Sequence, residues 1–259
     1  MPPETHPVQL VGAGPGAADL LTLRAVRAIE SAQALLYDAL VSDEILALAP
    51  AHCLKIQTGK RAGRASMAQA TINRLMLRLA RGGLRVVRLK GGDPSVFGRA
   101  GEEADFLAAH GVASEVVPGV TAASAAAAEF GFPLTHRGEA RRLILTTARL
   151  DGGADALDWR AAADAEATVA IYMGGAQAAE LARRLMAAGR AAATPVVVLE
   201  SIARPEARLV FQGRLAELAG AAPRTGGGPV LVVVGEVATR ACGHASQLTP
   251  EPMRPLRKA

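Results

Sequence analysis

Aromatic residues are scarce: one tryptophan, two tyrosines and five phenylalanines make up 3% of the 259 residues. A platform that stacks nucleic-acid bases needs more of them. No lysine-rich tail or recognised nucleic-acid motif makes up the deficit, so nucleic acid is not an expected partner. Cysteine is nearly absent. Cys53 and Cys242 form neither a disulfide framework nor a metal-ligand spacing, and fit ordinary thiols of a reducing cytoplasm. No apolar run reaches the ~18 residues of a membrane span. The N-terminus, MPPETHPVQL, lacks the basic and apolar regions of a signal peptide. Serine, cysteine and histidine fall in no triad-like order, and no metal set is visible.

What is present is an apolar chain with a modest basic excess. Half the residues are hydrophobic, enough for one large domain or two smaller ones. Twenty-nine basic residues face 24 acidic ones, a net charge of +5. An arginine-rich solvated surface accounts for that excess. A small partner with several carboxylates accounts for it equally well, through charge-assisted arginine contacts.

The first half alternates short β-rich runs with amphipathic helical stretches. Strands are expected at 8–12, 34–37, 53–56, 84–89 and 114–117, and helices at 20–31, 42–48, 67–80 and 101–109. This alternation predicts an α/β sheet, mainly parallel, with ligands beyond the carboxyl ends of its strands. Pro118-Gly119 breaks the pattern. The second half opens with a small-residue helix at 121–131. Strands follow at 142–148, 168–173, 194–200, 207–213 and 229–237, with a helix at 176–188. The last three strands follow closely with no helix between them, which predicts a mixed sheet. Residues 151–163 and 221–228 read as loops. The expected organisation is an N-terminal α/β domain (1–117), a C-terminal α/β domain (118–240) and a flexible tail (241–259).

The most informative segment is LKGGDPSVFGRAGEE, at 89–103. It closes an apolar strand, turns through Gly91, Gly92, Asp93 and Pro94, and enters a helix. Glycines at a strand end let backbone approach a ligand closely. A carboxylate there accepts hydrogen bonds from hydroxyls or an amine, and does not suit a phosphate cradle. GAGPGAAD, after the first strand, satisfies the loose Gly-x-Gly-x-x-Ala dinucleotide fingerprint, with Asp38 near the ribose-carboxylate position. An NAD- or FAD-dependent oxidoreductase is therefore the rival reading. Against it, Asp19 or Thr22 reads as the cap of the following helix, too late to meet a pyrophosphate. Pro15 also removes one amide from the cradle.

Asp38 follows the second strand and reads either as a turn cap or as a general base. Lys60, Arg61 and Arg64 lie in GKRAGRASM, on a loop at the same sheet edge, either simply solvated or meeting an anion. His136, Arg137, Arg141 and Arg142 precede a strand. The histidine is structural or a general acid, and the arginines can take carboxylates. Met173 ends a strand before Gly174-Gly175, either as packing or with its backbone against a flat ligand.

Taken together, VGAGPGAADLLTLRA, YDALVS, GKRAG, RLKGGDPSVFGRAGEE, VVPGVTAASAAAAEFGFPLTHR, IYMGG and GPVLVVVGEV resemble the tetrapyrrole (corrin/porphyrin) methyltransferase family in order, across 8–237. The resemblance implies two α/β domains with an active-site cleft between them, a homodimer, and S-adenosylmethionine as methyl donor. It implies uroporphyrinogen III as substrate and precorrin-2 as product by way of precorrin-1, with a related precorrin methyltransferase as the alternative. By motif, Pro15, Gly91, Gly92, Asp93, Val96, Thr121, Ala122 and Met173 match cofactor-binding positions. Ile202 stands where the family commonly has a glycine. Asp38 matches the proposed proton acceptor and Lys60 the proposed donor. Arg61, Arg64, Arg137 and Arg141 are candidates for the substrate's carboxylates. Only seven residues precede the first strand, so the dehydrogenase and ferrochelatase activities fused to this unit in some relatives are not expected.

Overall fold

The structure, a computed structural model, describes residues 6–59, 67–148 and 158–242. The chain divides between Thr121 and Ala122 into two compact units, each with its own five-stranded sheet.

The first unit holds β1 (Val8–Gly12), β2 (Ala34–Tyr37), β3 (Leu54–Gln57), β4 (Val86–Lys90) and β5 (Ser114–Val117), in the order β3-β2-β4-β1-β5. Every pairing is parallel, as the alternating pattern predicts. Its helices are α1 (Leu23–Glu30), α2 (Asp43–Ala47), α3 (Gln69–Arg81) and α4 (Ala100–Ala109). Thr22 caps α1, its Oγ1 accepting the Ala25 N–H at 3.1 Å.

Side chains alternate across a strand, so each strand feeds two cores. Val11, Leu35, Val87 and Leu89 pack with Ile29 of α1 and Ile45 of α2. Val8, Leu10, Leu36 and Val86 pack with Ile72 and Met76 of α3 and Leu107 of α4. Burial on both faces explains the near-continuous apolar strands.

At the carboxyl edge, backbone meets backbone. Gly14 and Gly92 exchange N–H···O=C bonds of 3.1 and 2.6 Å. A Cβ on Gly119 would stand 2.3 Å from the Gly92 oxygen and 2.8 Å from the Gly12 Cα. Only glycine permits that approach. Asp93 fastens the two loops: its Oδ2 accepts the Gly119 N–H at 2.9 Å, and its Oδ1 accepts the Ser95 N–H at 2.8 Å and the Ser95 hydroxyl.

The second unit holds α5 (Ala122–Glu129), β6 (Arg142–Thr147), α6 (Trp159–Ala162), β7 (Ala167–Tyr172), α7 (Ala178–Ala187), β8 (Pro195–Glu200), β9 (Arg208–Arg214), α8 (Leu215–Gly220) and β10 (Val230–Val234). The sheet runs β6-β7-β10-β8-β9. Only β6 and β7 pair in parallel, so the sheet is mixed as expected. Val169, Ile171, Val196, Val198, Val232 and Val234 pack against Leu181 and Leu185 of α7 and Leu215 and Leu218 of α8.

Three local expectations are corrected. The loop expected at 151–163 ends in α6, because Asp158 accepts the N–H groups of Arg160 and Ala161 at 3.1 Å each. The link after β9 contains α8, started by Glu217, whose carboxylate accepts the Arg214 N–H at 2.9 Å. The last strand, expected to run to 237, ends at Val234 and is followed by a 3-10 turn, Glu236–Arg240. It is pinned by Arg240 on Glu139 at 2.5 Å and by Gln212 on the Ala241 carbonyl at 2.9 Å. Most of the expected tail, 243–259, lies outside the described residues.

Glu200, 2% exposed, ends β8 and organises the glycine turn before β10. It accepts the N–H groups of Gly226 and Gly228 at 2.7 and 2.9 Å and the Arg208 guanidinium at 2.6 Å. Burial pushes its carboxyl up, but those donors outweigh burial and hold it below its ordinary value of 4.5. Its stabilisation is therefore present above about pH 4.5 and is lost as pH falls through the depressed value. Glu200→Gln is expected to cost about 1–3 kcal/mol at neutral pH, a deficit that shrinks as pH falls below 4.5 in denaturant titrations. Gly119→Ala is expected to cost about 1–3 kcal/mol through overpacking. Gly101→Ala, whose Cβ meets nothing within 4 Å in α4, is expected to be neutral or stabilising in the same measurement.

Candidate functional site

The strand ends of the first unit gather Pro15, Asp38, Gly91, Gly92, Asp93 and Val96 on one edge. Pro15 follows Gly14, whose φ is +68° and whose N–H is spent on Gly92. An amide engaged in that way is not aimed at a phosphate, and α1 begins only at Leu23. Both facts argue against a dinucleotide cradle. Gly92 has φ +71°, and a Cβ there would meet nothing within 4 Å, so its outer side is open. Val96 is half-buried, its N–H donating to the Asp93 carbonyl at 3.1 Å. The rest of the loop is left-handed at Phe97 (φ 55°) and Arg99 (φ 59°), conformations that non-glycine residues adopt at a cost.

Asp38 is placed by strand parity. Leu36 of β2 and Val86 of β4 share the core with α3 and α4. Two residues on, Asp38 and Arg88 face the same side. Arg88 Nη2 donates to Asp38 Oδ1 at 2.5 Å; the Thr58 hydroxyl, just past β3, donates to the Tyr37 carbonyl at 3.0 Å and lies 3.4 Å from the same Asp38 oxygen. Among the described residues, Asp38 Oδ2 takes no hydrogen bond. The Asp38 side chain is 32% exposed, whereas Arg88 is 3% exposed.

Behind Arg88 lie charges that the motif reading missed. Glu103 of α4 is fully buried and accepts Arg88 Nε at 3.2 Å, Lys90 Nζ at 2.7 Å and Gln69 Nε2 at 3.0 Å. Burial, and next the Arg88 charge, push the Lys90 ammonium down, against the pull of Glu103 and Asp38. The signal was available: a parallel central strand should be apolar throughout, and LRVVRLK carries two cations at one parity. Which of Glu102 and Glu103 turns inward was not readable.

In the second unit, Met173 follows β7 with φ +58° and is 48% exposed. The adjacent Tyr172 hydroxyl accepts the Ala123 N–H at 3.2 Å, tying this strand end to the start of α5, where Ala122 lies. Ile202 is buried, and the left-handed residues are its neighbours Ser201 and Ala203, both at φ 57°. Position 202 therefore does not need glycine's dihedrals. The Ala203 N–H donates to Glu129 Oε2 at 2.8 Å, while burial pushes the Glu129 carboxyl up.

Thr121 is half-buried at the end of the first unit. Arg137 is exposed, and Arg141 is 71% exposed with Glu166 at 3.9 Å. Lys60, Arg61 and Arg64 lie outside the described residues. Among the described residues, no helix is long and apolar enough to cross a membrane, and no three His, Cys, Asp or Glu side chains gather as for a metal ion.

The family profile Tetrapyrrole (Corrin/Porphyrin) Methylases matches residues 7–219. A siroheme synthase from Serratia proteamaculans is 49% identical over 233 residues, covering 89% of this chain and 48% of that protein. Another from Xylella fastidiosa is 48% identical, covering 90% and 49%. The chain thus spans about half the length of the curated relatives it matches. Among solved structures, uroporphyrin-III C-methyl transferase from Thermus thermophilus, complexed with S-adenosyl homocysteine, aligns with a TM-score of 0.76 at 41% identity. That alignment covers 90% of this chain and 93% of the other. A cobalt precorrin-4 methyltransferase aligns at 0.77 with 27% identity, covering 89% and 95%. With a profile that matches residues 7–219, more than half of the chain, and relatives near half identity, the chain belongs to the tetrapyrrole (corrin/porphyrin) methylase family.

Proposed function

We propose that the chain is an S-adenosylmethionine-dependent C-methyltransferase that adds two methyl groups to uroporphyrinogen III. The product is precorrin-2, made by way of precorrin-1 for siroheme or cobalamin formation, by a cytoplasmic homodimer. The observation that carries the reading is the 41% identity, across 90% of the chain, with a uroporphyrin-III C-methyl transferase that binds S-adenosyl homocysteine. The sheet edge fits such a ligand: one open side at Gly92 and a carboxylate-bearing turn without a phosphate cradle.

S-adenosylmethionine supplies a methyl group already activated on a sulfonium. The chain must then supply alignment, which alone lowers a barrier substantially. Pro15, Gly91, Gly92, Val96 and Thr121 of the first unit, and Ala122, Met173 and Ile202 of the second, are assigned to holding the donor. Asp93 serves it by fixing the loop, since both its oxygens accept hydrogen bonds from Ser95 and Gly119. A methylated pyrrole ring carries positive charge and must lose a proton. Asp38, half-buried at the strand end, takes that proton or steadies the cation, and Lys60 is assigned as the donor. Arg61, Arg64, Arg137 and Arg141 meet substrate carboxylates.

The test is methyl-labelled S-adenosylmethionine with uroporphyrinogen III and the purified chain. Labelled precorrin-2 is expected; binding without transfer would overturn the reading. Asp38→Asn is expected to slow single-turnover transfer by about 10²-fold or more, and an unchanged rate would remove Asp38 from the mechanism. Paired removal of Arg137 and Arg141 is expected to raise the substrate KM and flatten its salt dependence.

A further inference from the structure

We propose that Glu103 is a positioning residue, which acts through the Arg88 guanidinium to present the Asp38 carboxylate with one oxygen clear. The proposal rests on the assignment of Asp38 to methyl transfer.

The guanidinium of Arg88 is held at three corners. Nε donates to Glu103 at 3.2 Å, Nη1 to the Leu89 carbonyl at 3.1 Å and Nη2 to Asp38 at 2.5 Å. A free arginine beside a carboxylate tends to pair with it side-on through two parallel bonds. Glu103 occupies Nε, and the backbone occupies Nη1, so Arg88 reaches Asp38 with a single nitrogen. Thr58 meets the same Oδ1. Oδ2 is then the oxygen left to face a substrate.

Stability alone does not account for the arrangement. Two cations and two carboxylates in a central strand's core cost desolvation that apolar side chains would avoid, and buried ion pairs are often replaceable without loss. Here the cluster is graded in burial. Glu103 is 0% exposed, Arg88 and Lys90 3% each, and only Asp38, at 32%, reaches the surface. Gln69 donates to the same Glu103 oxygen as Arg88 and Lys90 donates to the other, so the anchor is fixed independently of Asp38. Glu102, the neighbouring carboxylate, turns outward to Arg99 and does not compete. Loss of the Glu103 charge frees Nε, lets Arg88 close on both Asp38 oxygens, and leaves Arg88 and Lys90 facing one carboxylate.

The test compares wild type, Glu103→Gln, Glu103→Asp and Asp38→Asn in single-turnover methylation of uroporphyrinogen III across pH, with S-adenosyl homocysteine affinity measured separately. Glu103→Gln is expected to lose about 30-fold or more in rate, with cofactor affinity within about two-fold of wild type. Its pH at half-maximal rate should move by about half a unit or more. Glu103→Asp should recover part of the rate, and the Asp38→Asn/Glu103→Gln double variant should be no slower than Asp38→Asn alone. If Glu103→Gln does not fold, Glu103→Asp carries the test, with about a five-fold loss at unchanged cofactor affinity expected. A wild-type rate and pH profile in the Glu103 variants, or multiplicative loss in the double variant, would overturn this proposal while leaving the methyltransferase reading intact. Absence of transfer by the wild-type chain would overturn both.

Discussion

Three glycines in contact set the carboxyl edge of the first sheet. Gly12, Gly92 and Gly119 end or follow three adjacent strands, β1, β4 and β5, and bring their backbones closer than any Cβ allows. The Gly14–Gly92 bridge and the Asp93 bonds hold that approach. Everything else at the edge takes its place from it. The left-handed stretch at Phe97 and Arg99 can persist because its start is fixed on both sides. The close approach also leaves the outer side of Gly92 as open space rather than core.

Against this backbone frame stands a cluster of four buried or half-buried charges. Its members come from four places in the sequence: the end of β2 for Asp38, two positions of β4 for Arg88 and Lys90, and the first turn of α4 for Glu103. Parity of the parallel strands is what unites them. The same periodicity that sends Val86 and Leu36 into the core with α3 and α4 sends Arg88 and Asp38 to that side at the strand ends. The cluster is neutral as a whole, which makes its burial tolerable, and it opens to solvent only at Asp38.

Much of this was legible beforehand. Strand–helix alternation predicted the parallel sheet, and the β-rich second half predicted the mixed one. Those readings rest on hydrophobic periodicity, which burial enforces over many residues. Thr22 was readable as a cap because a hydroxyl just before an apolar period has a specific local use. Short elements escaped. Trp159–Ala162 and Leu215–Gly220 are too brief for a period to show, and each depends on one side-chain cap. At the site, the glycines and Asp38 were visible as strand-end residues. Asp93 was read as a ligand contact, and its carboxylate also ties the chain to itself, a role the sequence did not reveal. Glu103 was invisible, since adjacent glutamates at 102 and 103 look alike until the helix face is known. Arg88 and Lys90 carried a signal, two charges in a strand that should have none.

The account turns on a sheet edge that accepts a sulfur-linked adenosine and not a dinucleotide. Isothermal titration of the purified chain with S-adenosyl homocysteine and with NAD measures that directly. The account predicts saturable, stoichiometric binding of S-adenosyl homocysteine and no heat of binding with NAD. Binding of NAD with no response to S-adenosyl homocysteine would contradict it.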